Sequence, residues 1–287
     1  MKRILVPTDF TEQSENALEF AYQIAKKING EIELLHVLDV PDGDQYAGSL
    51  STGGEFTGGG HIDDLFFVKL LEKTKERFQD ILVSPEYQDV KIIERMKIGS
   101  PYKSIVEETE KGSIHLIVMG TSGVNDWEEA IVGSTADRVV RKAKCPVLTI
   151  QNKVNLSDIK NIAYASDFQY NHEVLVDLVK EFGMTLKAKI HLVKVNTPSN
   201  FKNDNENEAI LKSFAEENKF SDYEFHIYNH EEEEDGIICF AQSYRMNMIV
   251  MATEGKTGFS RLLEGSIAED VVNYSKIPVL TFKTQKA

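Results

Sequence analysis

The chain carries one pattern twice. Residues 119–150, MGTSGVNDWEEAIVGSTADRVVRKAKCPVLTI, return as residues 251–282, MATEGKTGFSRLLEGSIAEDVVNYSKIPVLTF, in register and without a gap. The front of the chain repeats as well, because Ile4-Leu5-Val6-Pro7-Thr8-Asp9-Phe10 matches Ile162-Ala163-Tyr164-Ala165-Ser166-Asp167-Phe168. A repeated hydrophobic and turn pattern specifies a repeated set of elements, so the chain must build one fold unit twice. The offset between copies is 158 residues at the front, Asp9 to Asp167, and 132 at the back, Gly133 to Gly265, which makes the first copy 26 residues longer in between. The extra length is assigned to residues 41–62, PDGDQYAGSLSTGGEFTGGGHI. The two domains are therefore expected at 1–151 and 159–287, joined through the polar stretch Gln151–Asp158.

Within each copy, short β-branched runs alternate with segments of helical period. Strands are expected near Arg3–Val6, Ile32–Leu38, Lys91–Met96, Leu116–Met119 and Val147–Ile150, with helices near Ser14–Ile28, Asp64–Val83, Ser104–Lys111 and Ala136–Ala143. In the first helix Ala17, Phe20, Ala21, Ile24, Ala25 and Ile28 form a stripe that must face a sheet. The second copy has the same order, with strands near Ile162–Ala165, Ile190–Val195, Tyr223–Tyr228, Met248–Met251 and Val279–Phe282. Strand and helix in alternation imply right-handed βαβ units. The expected fold class is α/β: two repeated domains, each an open five-stranded parallel sheet with helices on both faces, Rossmann-like in style.

Charge and composition exclude several function classes. The net charge of −14, with the acidic run Glu231–Asp235 and no basic cluster, opposes binding to nucleic acid or anionic lipid. No apolar stretch approaches the roughly 20 residues that span a bilayer, and the first residues read as a strand, so the expected location is the cytoplasm. Cys145 and Cys239 sit at non-equivalent positions in the two copies and read as small hydrophobes in a reducing compartment. His36, His115 and His191 fall in strand patterns and receive no role. His226 and His230 near glutamates read as a solvated turn, so no metal site is assigned.

The chemistry concentrates in Gly120-x2-Gly123-x9-Gly133-Ser134. These glycines bracket the loop that leaves the fourth strand at its C-terminal end, where backbone N–H groups can approach an anion without a Cβ in the way. Ser134, Thr135 and the following helix N-terminus add donors and a positive dipole end, which suits phosphate. Asp9 ends the first strand nearby, as an acceptor for ribose hydroxyls or a base amine. The same glycines also fit a plain strand end and tight loop in a protein that holds no nucleotide. Gly255-Lys256-Thr257 is not a Walker A loop, because position 250 is Val, and the spacing G-x-G-x-x-G is absent.

With this order of motifs the chain resembles tandem members of the universal stress protein family, whose ATP-binding members carry Gly-x2-Gly-x9-Gly-(Ser/Thr) after the fourth strand and an Asp closing the first. The resemblance covers nearly the whole chain apart from residues 41–62. It implies a five-stranded parallel sheet per copy, binding of ATP or another adenine nucleotide at the C-terminal edge, and pairing of the copies through their last strands. Carried over by position, Pro7, Thr8 and Asp9 would border base and ribose, Val37 would pack near the adenine, and Met119 and Gly120 would lie beneath the nucleotide. Gly123, Gly133, Ser134 and Thr135 would hold the phosphates. The second copy's counterparts are Ser166, Asp167, Val195, Met251, Gly255, Gly265 and Ser266, with Ala252 in place of the first glycine.

Each copy departs from the family pattern. The first places Asp126, Glu128 and Glu129 in the loop. Two unit charges about 6 Å apart at an effective dielectric of about 20 interact by roughly 3 kcal/mol, so those carboxylates must face water or a bridging Mg²⁺ if a triphosphate binds. The second supplies Lys256 and Arg261 for phosphate, but the Ala252 methyl is expected to crowd the ligand. No His, Lys or Arg recurs in both loops as a positioned base or charge stabiliser, so binding is favoured over catalysis, with slow ATP hydrolysis as the upper limit. Three readings follow: a nucleotide-binding regulator acting through an unidentified protein partner, a nucleotide-independent adaptor whose halves form a pseudo-dimer, and a weak ATPase. The apolar strands Val147–Ile150 and Val279–Phe282 would leave open edges unless they pair within the chain, and a further homodimer stays open.

Overall fold

The computed structural model describes residues 3–39, 61–122, 135–168, 173–252 and 267–283, with the backbone alone for residues 61–66. Five strands belong to each repeat. They are β1 Arg3–Pro7, β2 Glu31–Leu38, β3 Ile92–Ile98, β4 Leu116–Gly120 and β5 Val147–Ile150, then β6 Asn161–Ala165, β7 Lys189–Asn196, β8 Tyr223–Asn229, β9 Met248–Ala252 and β10 Val279–Phe282. The described helices of the first repeat are α1 Glu12–Ile28, α2 His61–Val83, α3 Pro101–Glu110 and α4 Thr135–Lys142. Those of the second are α5 Glu173–Leu186, α6 Asp204–Glu217, α7 Glu233–Ser243 and α8 Ile267–Tyr274.

All ten strands form one sheet in the order β3-β2-β1-β4-β5-β10-β9-β6-β7-β8. Every neighbouring pair is parallel except β5 with β10, which runs antiparallel with Val147 opposite Thr281, Leu148 opposite Leu280 and Thr149 opposite Val279. The two expected sheets are thus halves of one, fused at their last strands. The fusion is reciprocal: Thr149 Oγ1 donates to the Val279 carbonyl at 3.2 Å and Thr281 Oγ1 donates to the Val147 carbonyl at 3.3 Å. Equivalent residues exchange equivalent bonds, as an approximate two-fold axis through Leu148 and Leu280 requires.

Helices cover both faces. One core packs Phe20 and Ile24 of α1, Phe78 of α2, Leu175 and Phe182 of α5 and Phe214 of α6 against one side of the sheet. The other packs Ile105 of α3, Val139 of α4, Phe240 of α7 and Val271 of α8 against the opposite side. The α1 stripe buries as its period demands, with Ala17, Phe20, Ala21 and Ala25 wholly enclosed and Ile28 at the rim. Helix α1 closes on Asn29 in the left-handed region, which lets the N–H groups of Asn29 and Gly30 return to the Ala25 carbonyl.

Two helix starts are set by local bonding and charge. Ser100 occupies the N-cap of α3 and Pro101 its first position, yet the Ser100 hydroxyl makes no cap bond; its carbonyl accepts from the Ser104 N–H at 3.0 Å instead. The acidic run of the second repeat becomes the first turn of α7, where Glu233, Glu234 and Asp235 meet the positive end of the helix dipole. Residues 41–60 of the insert lie outside the described residues, and the last part of the insert begins α2.

Candidate functional site

In the first repeat the chain leaves β1 to build β2 and β3 on one side, then returns to place β4 on the other. The gap between the carboxyl ends of β1 and β4 is therefore a topological switch point, the crevice where open α/β sheets bind ligands. Pro7 ends β1, and Thr8, Asp9 and Phe10 form the turn into α1. Thr8 is buried: its N–H donates to the Leu35 carbonyl, and its hydroxyl accepts from the Phe10 N–H at 3.0 Å and pairs with the Ser14 hydroxyl at 3.1 Å. Those bonds hold Phe10 at φ 61°, a left-handed conformation that a bulky residue adopts only when its surroundings compel it.

The second repeat reproduces this turn. Phe168 stands at φ 58°, and its N–H donates to the Ser166 hydroxyl at 3.0 Å. In both copies the turn places the intervening Asp just past the strand end, exposed at Asp9 and half-buried at Asp167. Asp9 is exposed, and its Oδ1 accepts from the Thr11 N–H at 3.1 Å and from the Thr11 hydroxyl at 2.6 Å. Partial burial pushes the Asp9 carboxyl up, but the Thr11 and Ser14 hydrogen bonds outweigh it and hold the pKa below the ordinary aspartate value. The group is ionised at neutral pH, and a charged acceptor makes the stronger hydrogen bonds to hydroxyls.

Sequence reasoning assigned no role to His36, and the structure gives it one. His36 Nδ1 donates to the Thr8 carbonyl at 2.7 Å, and the imidazole packs 4.7 Å from the Phe10 ring, which in turn meets Phe78 edge-on. His36 thus braces the turn that presents Asp9. The register could have signalled this, since Pro7 lies opposite Leu35 and the next pair outward is Thr8 with His36. In the second repeat the corresponding residue is Lys194, buried and held below the ordinary lysine pKa by burial and by Lys202. Glu233 lies near enough to Asp167 and Lys194 to feel both charges, and burial raises its pKa.

The other expected site residues divide clearly. Val37 is half-buried against the α3 and α4 core, and Val195 is buried in the same layer of the second repeat. Met119 and Met251, next to last in their strands, have side chains buried in that core, so only their backbones can face a ligand. Thr135 is exposed at the start of α4. Gly123, Gly133, Ser134, Gly255, Gly265 and Ser266, with the loop charges Asp126, Glu128, Glu129, Lys256 and Arg261, lie outside the described residues.

Gly120 carries a correction of reason. A Cβ on it would sit 2.5 Å from the backbone carbon and oxygen of Gln13 and 2.8 Å from the Ser14 nitrogen. The glycine admits the first turn of α1 against the end of β4, so its absent side chain makes room for protein rather than ligand. In the second repeat Ala252 packs against the core that includes Phe168 and Leu175. Its methyl group faces that core, and the expected crowding of a ligand by Ala252 does not follow.

Residues 1–151 and 159–283 each match the universal stress protein family. The chain belongs to that family. It is 34% identical over 150 residues to universal stress protein MJ0531 of Methanocaldococcus jannaschii, a match that spans 52% of this chain and 82% of that protein. Universal stress protein MJ0577 of the same organism is 29% identical over 155 residues, covering 53% of this chain and 96% of its own. Each of these relatives therefore corresponds to about one repeat. A universal stress protein from Archaeoglobus fulgidus superposes over 98% of both chains with a TM-score of 0.75 at 21% identity, which bears on the fold alone and extends it over both repeats. Among the described residues no helix is long and apolar enough to cross a membrane.

Proposed function

We propose that this universal stress protein is a stress-response regulator that binds ATP or another adenine nucleotide in its first repeat and acts through nucleotide-dependent partner binding in the cytoplasm. The observation that carries this reading is the exposed, ionised Asp9, presented at the β1/β4 switch point by a left-handed turn that both repeats build. Asp9 accepts from ribose hydroxyls, Val37 flanks the base, and Gly123, Gly133, Ser134 and Thr135 receive the phosphates, with Mg²⁺ offsetting the loop carboxylates. The first repeat is preferred because the second adds the half-buried Glu233 beside Asp167, a second carboxylate where an anionic ligand must enter. A bound state is preferred to turnover because no His, Lys or Arg recurs in the sequence of both loops as a base or charge stabiliser.

Protein purified without added nucleotide is denatured, and the released small molecules are identified by mass spectrometry alongside ATP titration calorimetry. The expected result is about one adenine nucleotide per chain, lost in Gly123→Val and retained in Gly255→Val. Absence of nucleotide together with no binding heat at millimolar ATP overturns the proposal and leaves the nucleotide-independent adaptor. Asp9→Ala removes hydrogen bonds to a charged acceptor, each worth about 1.5–3 kcal/mol, so affinity should fall by at least tenfold.

A further inference from the structure

Away from the strand ends, the second repeat assembles three metal-ligating side chains on one face of its outer strands. Glu224 and His226 alternate along β8, so both project to the same side. His191 of β7 lies directly opposite Glu224 in the parallel register. His191 Nδ1 and His226 Nε2 are 3.0 Å apart, and Glu224 Oε2 lies 3.6 Å from the first and 3.8 Å from the second. A point about 2.0 Å from all three atoms exists within that triangle, which matches the bond lengths of zinc to imidazole nitrogen and carboxylate oxygen.

We infer that His191, Glu224 and His226 form a binding site for a divalent transition-metal cation, with Zn²⁺ as the ion their chemistry suits best. Two imidazoles and one carboxylate are a borderline-hard donor set, and three protein ligands leave a fourth position for water.

The surroundings supply what such a site needs. His191 Nε2 donates to Asn161 Oδ1 at 3.2 Å, which leaves Nδ1 with its lone pair toward the cluster. The Asn161 backbone is anchored in turn, its N–H donating to Asn247 Oδ1 at 2.9 Å. In the absence of a cation His226 Nε2 carries the shared proton and donates to His191 Nδ1; cation binding moves that proton to His226 Nδ1 through solvent and keeps the ring neutral. Phe240 and Tyr244 pack at 5.0 Å from the His226 ring and form an apolar wall. At the β8 edge a cleft of about 370 Å³ is lined by His226 together with Asn229, Asp204, Glu208 and Tyr244, so one of the three ligands borders it. Lys189 Nζ lies 2.9 Å from Glu224 Oε1, so it occupies the other carboxylate oxygen and moderates affinity by its charge.

Comparison of the repeats argues against accident. In the first repeat the position of His191 is Glu33, opposite Ile93, and the position of His226 is Arg95. There Arg95 Nε stands 3.6 Å from Glu33 Oε1, and Arg3 at the position of Asn161 lies 4.0 Å from Glu33 Oε2. One repeat closes this patch with its own cations. The other has Asn161 and His226 at the positions of Arg3 and Arg95, His191 at that of Glu33 and Glu224 at that of Ile93, so that Lys189 holds one carboxylate oxygen and the other faces two imidazoles.

The test uses the full chain stripped with EDTA, titrated with Zn²⁺ by calorimetry and with Co²⁺ by visible absorption. One saturating equivalent per chain is expected, with Co²⁺ bands of a four- or five-coordinate nitrogen–oxygen site. His226→Asn and Glu224→Gln should each weaken Zn²⁺ at least about tenfold with unchanged circular dichroism, and Asn161→Ala, which removes only the orienting bond, should weaken it about tenfold or more. Should buried His191→Asn fail to fold, the wild-type Co²⁺ spectrum and the exposed-edge variants still decide. Absence of one-to-one binding, or full-strength binding in His226→Asn, overturns the site. The nucleotide proposal stands or falls separately, because none of these residues borders the β1/β4 crevice.

Discussion

At the scale of single residues, Gly120 separates what a motif records from why it exists. Gly120→Ala must push the Gln13–Ser14 backbone aside, because the new Cβ would approach it to 2.5 Å. Overpacking of this kind costs about 1–3 kcal/mol, to be read as a lowered urea midpoint, and a Gly120→Ala protein as stable as the wild type would refute the packing account. Tyr164 offers the opposite case. Its ring is fully buried, burial pushes its hydroxyl pKa up, and the hydroxyl finds no hydrogen-bond partner among the described residues. Tyr164→Phe should therefore stabilise the chain by about 1 kcal/mol in the same urea titration. Position 164 repeats Val6, so sequence shows an apolar site there but not that a hydroxyl goes unpaired. Asp9 was legible because it closes a strand and opens a turn, whereas Gly123 and Gly133 of the glycine spacing lie outside the described residues. His36 was not, since its role depends on a cross-strand neighbour that one strand's pattern does not disclose.

At the scale of elements, α3 shows how charge anchors a helix to an edge strand. Lys97 of β3 lies 2.6 Å from Glu108 of α3, and Lys111 adds a contact at 2.8 Å. Burial raises the Glu108 carboxyl, and its bonds to Lys111 and Lys97 outweigh that and set it below the ordinary glutamate value of 4.5. A depressed folded-state pKa stabilises above the unfolded value and is lost as pH falls through the folded one. Glu108→Gln should thus be less stable than the wild type at pH 7, with the gap closing below about pH 4.5. A gap that persists unchanged at pH 3 would show that packing, not charge, holds the pair. Element existence and order were readable because alternating apolar runs and helical stripes report burial directly. Helix starts slipped by up to three residues, as at α2 and α3, because a first turn is set by its neighbours rather than by its own period.

At the scale of the whole molecule, the β5–β10 junction decides whether the repeats are two domains on a string or one body. The connecting segment is tied to both sides. Gln151 Nε2 donates to the Val272 and Asn273 carbonyls, Lys153 pairs with Glu19 at 2.8 Å, and the Leu156 N–H donates to Gln23 Oε1 at 2.8 Å. Arg141 of α4 also pairs with Glu269 of α8 across the repeats. The pairing of last strands was legible because two apolar, Pro-led strands of the same sequence pattern cannot both end a sheet in water. Its reciprocal Thr149 and Thr281 bonds were not, since they exist only between copies. Residues 159–287 made alone would expose β10 with Val279 and Leu280, both buried in the intact chain. The edge is self-complementary, because β10 repeats the β5 pattern and can pair antiparallel with a second β10 through the same threonine exchange. Light scattering on that fragment at tens of micromolar should report a dimer, and Leu280→Lys should return it to monomer or unfold it. A well-folded monomer of residues 159–287 at that concentration would mean that the junction adds little to either half, and that the ten-stranded sheet is a contact between independent domains rather than a single cooperative unit.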